Sequence, residues 1–516
     1  MKPLWIALHL PLLQLEVFRP NWRINSDETE VVLEQNRLSC ASSGALAAGA
    51  QHAMKKASVQ MLLPDVVLYT RQPVLEQRCL EQVAMALLQY TPQVTYATHD
   101  CLLMEVSASL RLFGGILRLC HLIRHSMKVM GMSISLSCAP TAMGAWLLAR
   151  SGIMGRPHLQ KTCSLKRVLK LKKLQQSLDQ LPVALLPEAQ LWLEWLRGIA
   201  CTTLGSLQTL PRAGLKRRCG VQILDLMDRA YGHQTEVFEW ITVPPQFQSR
   251  TELPDRIEHA EMILAFIHSL LIQLMGWLAV KQLAVSQIDL YLEHERGRQA
   301  MAPTHLNLKL AEPIWREDHL LRLLKERLAT TQLQAPVIVV SLAASQVQTR
   351  QVANATLFPE PKAYAEDHHR LLELLVARLG DDQVLQAALQ EDHRPEVANT
   401  WVSVVHAQKK NTLKSQPLST RILNISNVPN QAVRPVWLFE KALPLTIRHH
   451  RPYYDAPLKL LSGAERIEAG WWNGQLVTRD YFIAENPGHI RYWIYRERLG
   501  EQSDAGASWF VHGLFG

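Results

Sequence analysis

Apolar positions in the first 150 residues alternate between short runs and helical stripes. Leu4-Trp5-Ile6-Ala7-Leu8-His9-Leu10 is an apolar run of strand length, with a helix start before residue 18. A polar loop spans Asn21 to Glu28, and the Ala/Gly/Ser segment Ser39 to Ala50 predicts a small helical unit. Residues 66–72 read as a strand. Leu75, Cys79, Val83, Leu87 and Leu88 share one face of a helix over about 74–90. Val94–His99 and Leu102–Val106 read as strands flanking Asp100. A helix near 114–130, a strand at Met132–Cys138 and a helix at Ala142–Arg150 follow. The short strand pair around Asp100 predicts an antiparallel α+β sheet.

Residues 160–235 change to a helical, basic pattern. Lys166, Arg167, Lys170, Lys172 and Lys173 precede a helix, glycine-containing turn and second helix over Leu196 to Gly214. Such a turn can aim backbone N–H groups at a phosphate. Gly198, Gly205 and Gly214 shape it, and Arg212, Lys216, Arg217 and Arg218 add cations. The plainer reading is a helical hairpin with a solvated basic face. Residues 246–345 predict another α+β unit: a helix near 257–281, strands at Val285–Leu292 and Leu306–Leu310, a helix near 316–329 and a strand at Val337–Leu342. A loop from Gln346 to Pro361 and a helix at 366–379 come next. The last 80 or so residues are rich in Trp, Tyr and Phe and predict a β-rich module.

The chain has 516 residues, which predicts three or four domains. Apolar residues make up 48%, enough for cores. The net charge of +9 is a modest basic excess that suits a polyanionic partner. The eight cysteines all lie in the first 219 residues and form no CxxC pair, which excludes a zinc ribbon and suits a reducing cytosol. No targeting signal is visible. Met262 to Val280 lacks acidic and basic residues and is long enough to span a bilayer. Its His268, Ser269 and Gln273 favour a buried helix. The expected location is the bacterial cytoplasm.

The order of these parts resembles a Y-family translesion DNA polymerase, with palm, fingers, helix-hairpin-helix thumb and little finger. The tail carries the closer resemblance, to the ImuB family of catalytically inactive homologues in the bacterial SOS mutasome. Its motif residues are Gly463-Ala-Glu-Arg-Ile-Glu468, Trp471-Trp472, Arg479-Asp-Tyr-Phe482, Tyr492-Trp-Ile-Tyr-Arg-Glu497 and Trp509-Phe-Val-His-Gly-Leu-Phe515. The resemblance implies a multidomain α+β fold. It assigns 1–18 and 74–160 to a palm-like part, 19–73 to fingers, 161–245 to the thumb and 246–345 to a little finger. Residues 346–430 become a linker and helical segment, and 431–516 an aromatic-rich C-terminal module.

Active relatives hold two Mg²⁺ with palm carboxylates, and Mg²⁺ demands oxygen ligands. The positions that the resemblance assigns to those ligands are Ala7, Asp100 and Cys101 here, so one carboxylate of three remains. Glu105 lies about 16 Å along a strand from Asp100 and on the other face. His9, Cys101 and Asp100 could bind zinc in principle, but spacing offers no fourth ligand. If Gly49 is the fingers glycine of the nucleotide pocket, Ser43 and Leu46 replace a Tyr and an Arg. Ala139-Pro140-Thr141-Ala142 lacks the expected lysine.

These losses imply a non-catalytic protein without cofactor or metal, and the retained hairpin with its basic residues implies a scaffold that binds DNA. Gln351-Val-Ala-Asn354-Ala-Thr-Leu357-Phe358 is similar to the pentapeptide that docks bacterial polymerases to the sliding clamp, with Asn354 in place of Gln. A weaker alternative is Gln431 with Trp437-Leu438-Phe439. A local core anchor is the plainer role for Leu357 and Phe358. The resemblance further implies a RecA-like accessory protein (ImuA) and an error-prone C-family polymerase (ImuC) as partners, and no membrane. The alternatives are a diverged but active polymerase, and a DNA-binding protein with no clamp role.

Overall fold

The computed structural model describes residues 3–21, 28–152, 166–295, 301–350, 362–404, 434–498 and 508–515. The chain forms two compact units, Met1–His369 and Arg370–Gly516.

The first unit is organised by a five-stranded sheet. Its strands, in spatial order, are Val94–Thr98, Cys101–Glu105, Trp5–His9, Ser135–Ala139 and Lys166–Arg167. All neighbours run antiparallel except the last pair. Every residue of Trp5–His9 is buried, because both faces of this central strand are covered. Alternation splits its side chains between two cores. Ile6, Leu8, Leu102, Met104 and Leu136 pack with the helices Pro73–Leu87 and Ile116–Val129. Trp5, Ala7, Cys101, Leu103 and Ala139 pack on the opposite face with the helix Ala142–Ser151. A three-stranded sheet (Glu30–Glu34, Arg37–Ala41, Val67–Thr70) and two short helices (Ser43–Ala47, Lys56–Leu62) form a smaller core around Val31, Leu38 and Val59. Where sequence predicts only a helical unit at 39–50, a strand ends at Ala41. Ser42 then caps a five-residue helix, its Oγ accepting from the Ala45 N–H.

A four-stranded antiparallel sheet follows, in the order Thr304–Ile314, Leu283–His294, Val337–Thr349, Gln248–Ile257. The helices Leu264–Lys281 and Glu317–Ala329 accompany it. The segment Ala260–Lys281 is long and apolar enough to cross a membrane, but 67% of its most apolar window is buried within the protein. The helix expected near 257–281 is present as Leu264–Lys281 after a short turn at Ala260–Ile263, and the strand Gln248–Ile257 precedes it without a sequence signal that reveals it. This strand carries Pro254 and four charged residues, and it pairs on one side only. An edge strand tolerates proline and needs no apolar face toward a second neighbour.

The long helix crosses Pro73–Leu87 so closely that a Cβ on Gly276 would sit 1.8 Å from the Met85 carbonyl oxygen. Only glycine permits that approach. Ile272 joins the core of the first sheet, and the Trp277 indole N–H donates to the Pro244 carbonyl at 2.9 Å. The connection over 233–247 is strapped to the first sheet. Phe238 and Trp240 pack on Trp5, and the Ile241 N–H donates to the Val94 carbonyl.

The second unit is β-rich, as its aromatic composition predicts. An antiparallel sheet of eight strands runs between Trp437 and Leu514, and a separate hairpin pairs Leu385–Leu389 with Asn399–Ser403. Tyr481 and Trp493 stack with ring centroids 4.0 Å apart in one of its two small cores.

Candidate metal centre and nucleic-acid interface

The three positions that the resemblance assigns to metal ligands, Ala7, Asp100 and Cys101, come together at one end of the first sheet. His9 pairs with Cys101, Ala7 pairs with Leu103, and Asp100 sits in the turn that begins this strand. Ala7 and Cys101 have no exposed surface. They belong to the apolar cluster that contains Trp146, whose indole N–H reaches the Thr98 hydroxyl at 3.4 Å. Asp100 keeps about a third of its side chain exposed (37%). Thr98 Oγ1 donates to its Oδ1 at 2.7 Å, and His9 Nε2 lies 3.1 Å from Oδ2. An ionised carboxylate only accepts, so Nε2 carries the proton and leaves the buried Nδ1 without a partner.

Burial alone would raise the Asp100 pKa. The His9 and Thr98 hydrogen bonds, with the nearby Arg150 charge, outweigh it and hold the carboxyl well below the usual range. Arg150 stacks over the Trp146 ring at 5.0 Å. The charge of Asp100 is thus compensated by protein groups. Burial, reinforced by Asp100, pushes the Cys101 thiol well above its ordinary value. A protonated, buried thiol is a poor metal ligand.

The donor set does not fit a pair of Mg²⁺ ions. One carboxylate cannot supply two oxygen shells, and Ala7 and Cys101 offer no oxygen. Glu105 does not help, since its Oε1 accepts the N–H groups of Leu4 and Ser107 at the far end of the strand. Among the described residues, no three His, Cys, Asp or Glu side chains are grouped to hold a metal. Ser43 opens the short helix Ser43–Ala47 and Leu46 lies within it, with Gly49 at φ 97° just beyond. Ala139 ends its strand, and Thr141 caps the following helix by accepting from the Gly144 N–H. The free N–H groups of Ala142 and Met143 donate to Glu236 at 2.7 and 2.8 Å. Burial raises the pKa of Glu236 despite those bonds.

The residues of the basic helical hairpin differ in their surroundings. Gly198 ends the helix Leu193–Gly198, and Gly214 lies in the helix Arg212–Cys219. A side chain at either would meet open space. Gly205 instead packs on Asp179, where a Cβ would lie 3.0 Å from its carbonyl oxygen. The N-terminus of its helix, Leu204–Thr209, is largely satisfied from within. Thr203 and Ser206 form a reciprocal capping box, and the Leu204 N–H donates to Leu181. Arg212 is exposed but forked onto Asp228 at 2.9 and 2.5 Å. Arg218 stacks over Trp195 at 4.5 Å. Lys216 and Arg217 point to solvent beside it, and Arg197 is exposed at the end of the preceding helix.

The clamp-like loop with Asn354, Leu357 and Phe358 lies outside the described residues. The alternative Trp437-Leu438-Phe439 forms the start of the strand Trp437–Arg448, as its β-like sequence predicts.

Residues 23–150 match the impB/mucB/samB family. Two curated proteins, each named Protein ImuB and each from a strain of Caulobacter vibrioides, are 24% identical to the chain over 478 residues. That match covers 90% of this chain and 98% of each relative. Solved structures are more distant. An insertion ternary complex of Dbh DNA polymerase is 14% identical, covering 68% of this chain and all of that one, with a TM-score of 0.38. DinB from Sulfolobus solfataricus gives 14% identity, 67% and 100% coverage, and a TM-score of 0.38.

Proposed function

From the impB/mucB/samB match over residues 23–150 inside a chain that is ImuB-like along nearly its whole length, we propose a non-catalytic, polymerase-like scaffold for error-prone translesion synthesis. One observation carries this reading. The face where metal carboxylates would converge is closed by Ala7, Cys101 and Trp146, all buried, with a lone Asp100 already matched by His9 and Arg150. Nucleotidyl transfer needs cations to neutralise the triphosphate and activate the primer hydroxyl. These residues supply neither the ligands nor the space.

The scaffold keeps the means to hold DNA. Lys216, Arg217 and Arg197 offer exposed cations around the open glycines Gly198 and Gly214, suited to backbone contact without base readout. Asn354, Leu357 and Phe358 are proposed to dock a sliding clamp. A RecA-like accessory protein (ImuA) and a C-family polymerase (ImuC) are the proposed partners that supply assembly and synthesis.

Primer extension with Mg²⁺ or Mn²⁺, run beside duplex binding on one preparation, tests the reading. The expected result is binding without extension. Lys216→Ala with Arg217→Ala weakens binding and lowers the salt slope by about 1.8, at roughly 0.9 per lost phosphate contact. Template-dependent extension abolished by Asp100→Ala overturns the proposal in favour of a diverged, active polymerase.

A further inference from the structure

The second unit holds a group of arginines that the polymerase-like reading does not use. Asp480 is buried, with 2% of its side chain exposed, and three arginines converge on it. Arg466 Nε lies 3.0 Å from its Oδ1, Arg496 Nη2 is 3.3 Å from Oδ2, and Arg498 Nε is 3.8 Å from Oδ2. Strand register builds the group. Arg466, Asp480 and Arg496 stand directly opposite one another on three adjacent strands, with Trp509 next in the row. The Arg498 N–H donates to the Thr478 carbonyl, two residues nearer the hairpin end.

Each guanidinium has five N–H donors in a rigid fork. The three side chains remain 55%, 42% and 42% exposed. Three cations face Asp480, with Glu468 4.0 Å from Arg466, so the group keeps a positive excess. Asp480 fixes the guanidinium groups while their outer nitrogens stay open to an anion.

The same hairpin ends in two exposed tryptophans. Trp471 and Trp472 form the turn between the strands Glu465–Ala469 and Val477–Glu485, and are 69% and 53% exposed. Their rings meet edge-on at 80° with centroids 4.7 Å apart. The turn is rigid. Gly470 sits at φ 86°, and a Cβ there would lie 2.0 Å from the Gln475 carbonyl oxygen. Arg394, itself buried on Asp392, reaches the Gln475 carbonyl at 3.4 Å and lies over the Trp472 ring at 5.7 Å. Beyond their mutual edge contact and Arg394, the two indoles keep most of their surface in water, where apolar area is unfavourable. The last paired row, Ala469 with Val477, is three residues from the arginine row, about 10 Å along the strands.

We propose that this hairpin binds single-stranded nucleic acid, with Arg466, Arg496 and Arg498 on the backbone phosphates and Trp471 and Trp472 stacked on bases. Fixed guanidinium forks match phosphate oxygens. Open indole faces match unpaired bases, which a duplex does not present. The site lies outside the Met1–His369 unit and does not depend on the fate of the polymerase-like chemistry.

The test is fluorescence anisotropy of a labelled oligothymidylate of about 12 nucleotides with the full chain, across a salt series. Trp471→Ala with Trp472→Ala is expected to weaken binding about ten-fold or more while leaving the far-ultraviolet spectrum intact. Arg496→Gln with Arg498→Gln lowers the salt slope by about 1.4, at roughly 0.7 per contact on a single strand. In a Lys216→Ala, Arg217→Ala background, where overall binding is weaker, the tryptophan substitutions are expected to cost the same further factor, because the two sets of residues are independent. Absence of binding by the parent chain, or parent-like affinity in a folded tryptophan variant, overturns the proposal. Equal competition by a polyglutamate peptide also overturns it, since the group would then be a plain anion patch or an acidic-peptide site.

Discussion

Replacing Ala7 by aspartate puts an oxygen ligand at the position that the resemblance to Y-family polymerases assigns to one. Here it also places a carboxylate in a closed apolar cluster. Ala7 has no exposed surface and shares that cluster with Trp5, Cys101, Leu103, Ala139 and Trp146. Overpacking such a site costs about 1–3 kcal/mol, and burying an unpaired polar group about 1–3 kcal/mol more. A total near 3 kcal/mol is therefore a low expectation. Melting entropy is about 2.1 cal/mol/K per residue, or about 0.8 kcal/mol/K for the Met1–His369 unit, so the midpoint falls by about 4 °C or more. Thermal melting followed by circular dichroism reads the shift. Ala7→Asn has the same shape without charge and isolates the ionisation part. Burial raises the new carboxyl above its unfolded pKa, so the folded form binds protons more tightly. The extra penalty of aspartate over asparagine is smallest below about pH 4 and grows as pH rises, by about 1.4 kcal/mol per pH unit. An Ala7→Asp variant that melts within about 1 °C of the parent across this range refutes the reasoning. The cluster would then admit water, and the closed-site argument against catalysis would fail with it.

Two further predictions concern the same unit. Gly276→Ala should lower its melting point, because the added methyl meets the Met85 carbonyl at 1.8 Å; elsewhere in a helix the same change gains up to about 1 kcal/mol, so the sign of the shift is the test. Glu16 is buried and accepts from the Ser133 N–H at 2.9 and 3.0 Å, and burial, only partly offset by those bonds, raises its pKa to about 7. The stability this carboxyl contributes is present below its unfolded value of 4.5 and is lost as pH rises through about 7, a change of about 3 kcal/mol. Glu16→Gln should flatten that fall in a pH series of melts, and an unchanged pH dependence refutes the assignment.

The residue types at the chemistry-bearing positions were fixed by the sequence without any fold. The side chains of Ala7 and Cys101 offer Mg²⁺ no oxygen wherever they lie, and Lys216 and Arg217 are cations in any fold, here exposed. The antiparallel strand pair around Asp100 was equally legible, because two short strand-length runs on either side of a polar turn leave few alternatives. Other features depended on contacts between distant segments. Gly205 looked like a phosphate-facing glycine, and only its packing on Asp179, 26 positions earlier, makes it structural. Arg212 looked like a free cation until the chain folded Asp228 against it. The edge strand Gln248–Ile257 was hidden because its apolar signal is weak and its partner, Val337–Thr349, lies some 80 residues away. The arginine row around Asp480 shows the same limit most plainly. Its members are scattered over 33 positions from Arg466 to Arg498, and they meet because strand register sets residues far apart in sequence side by side.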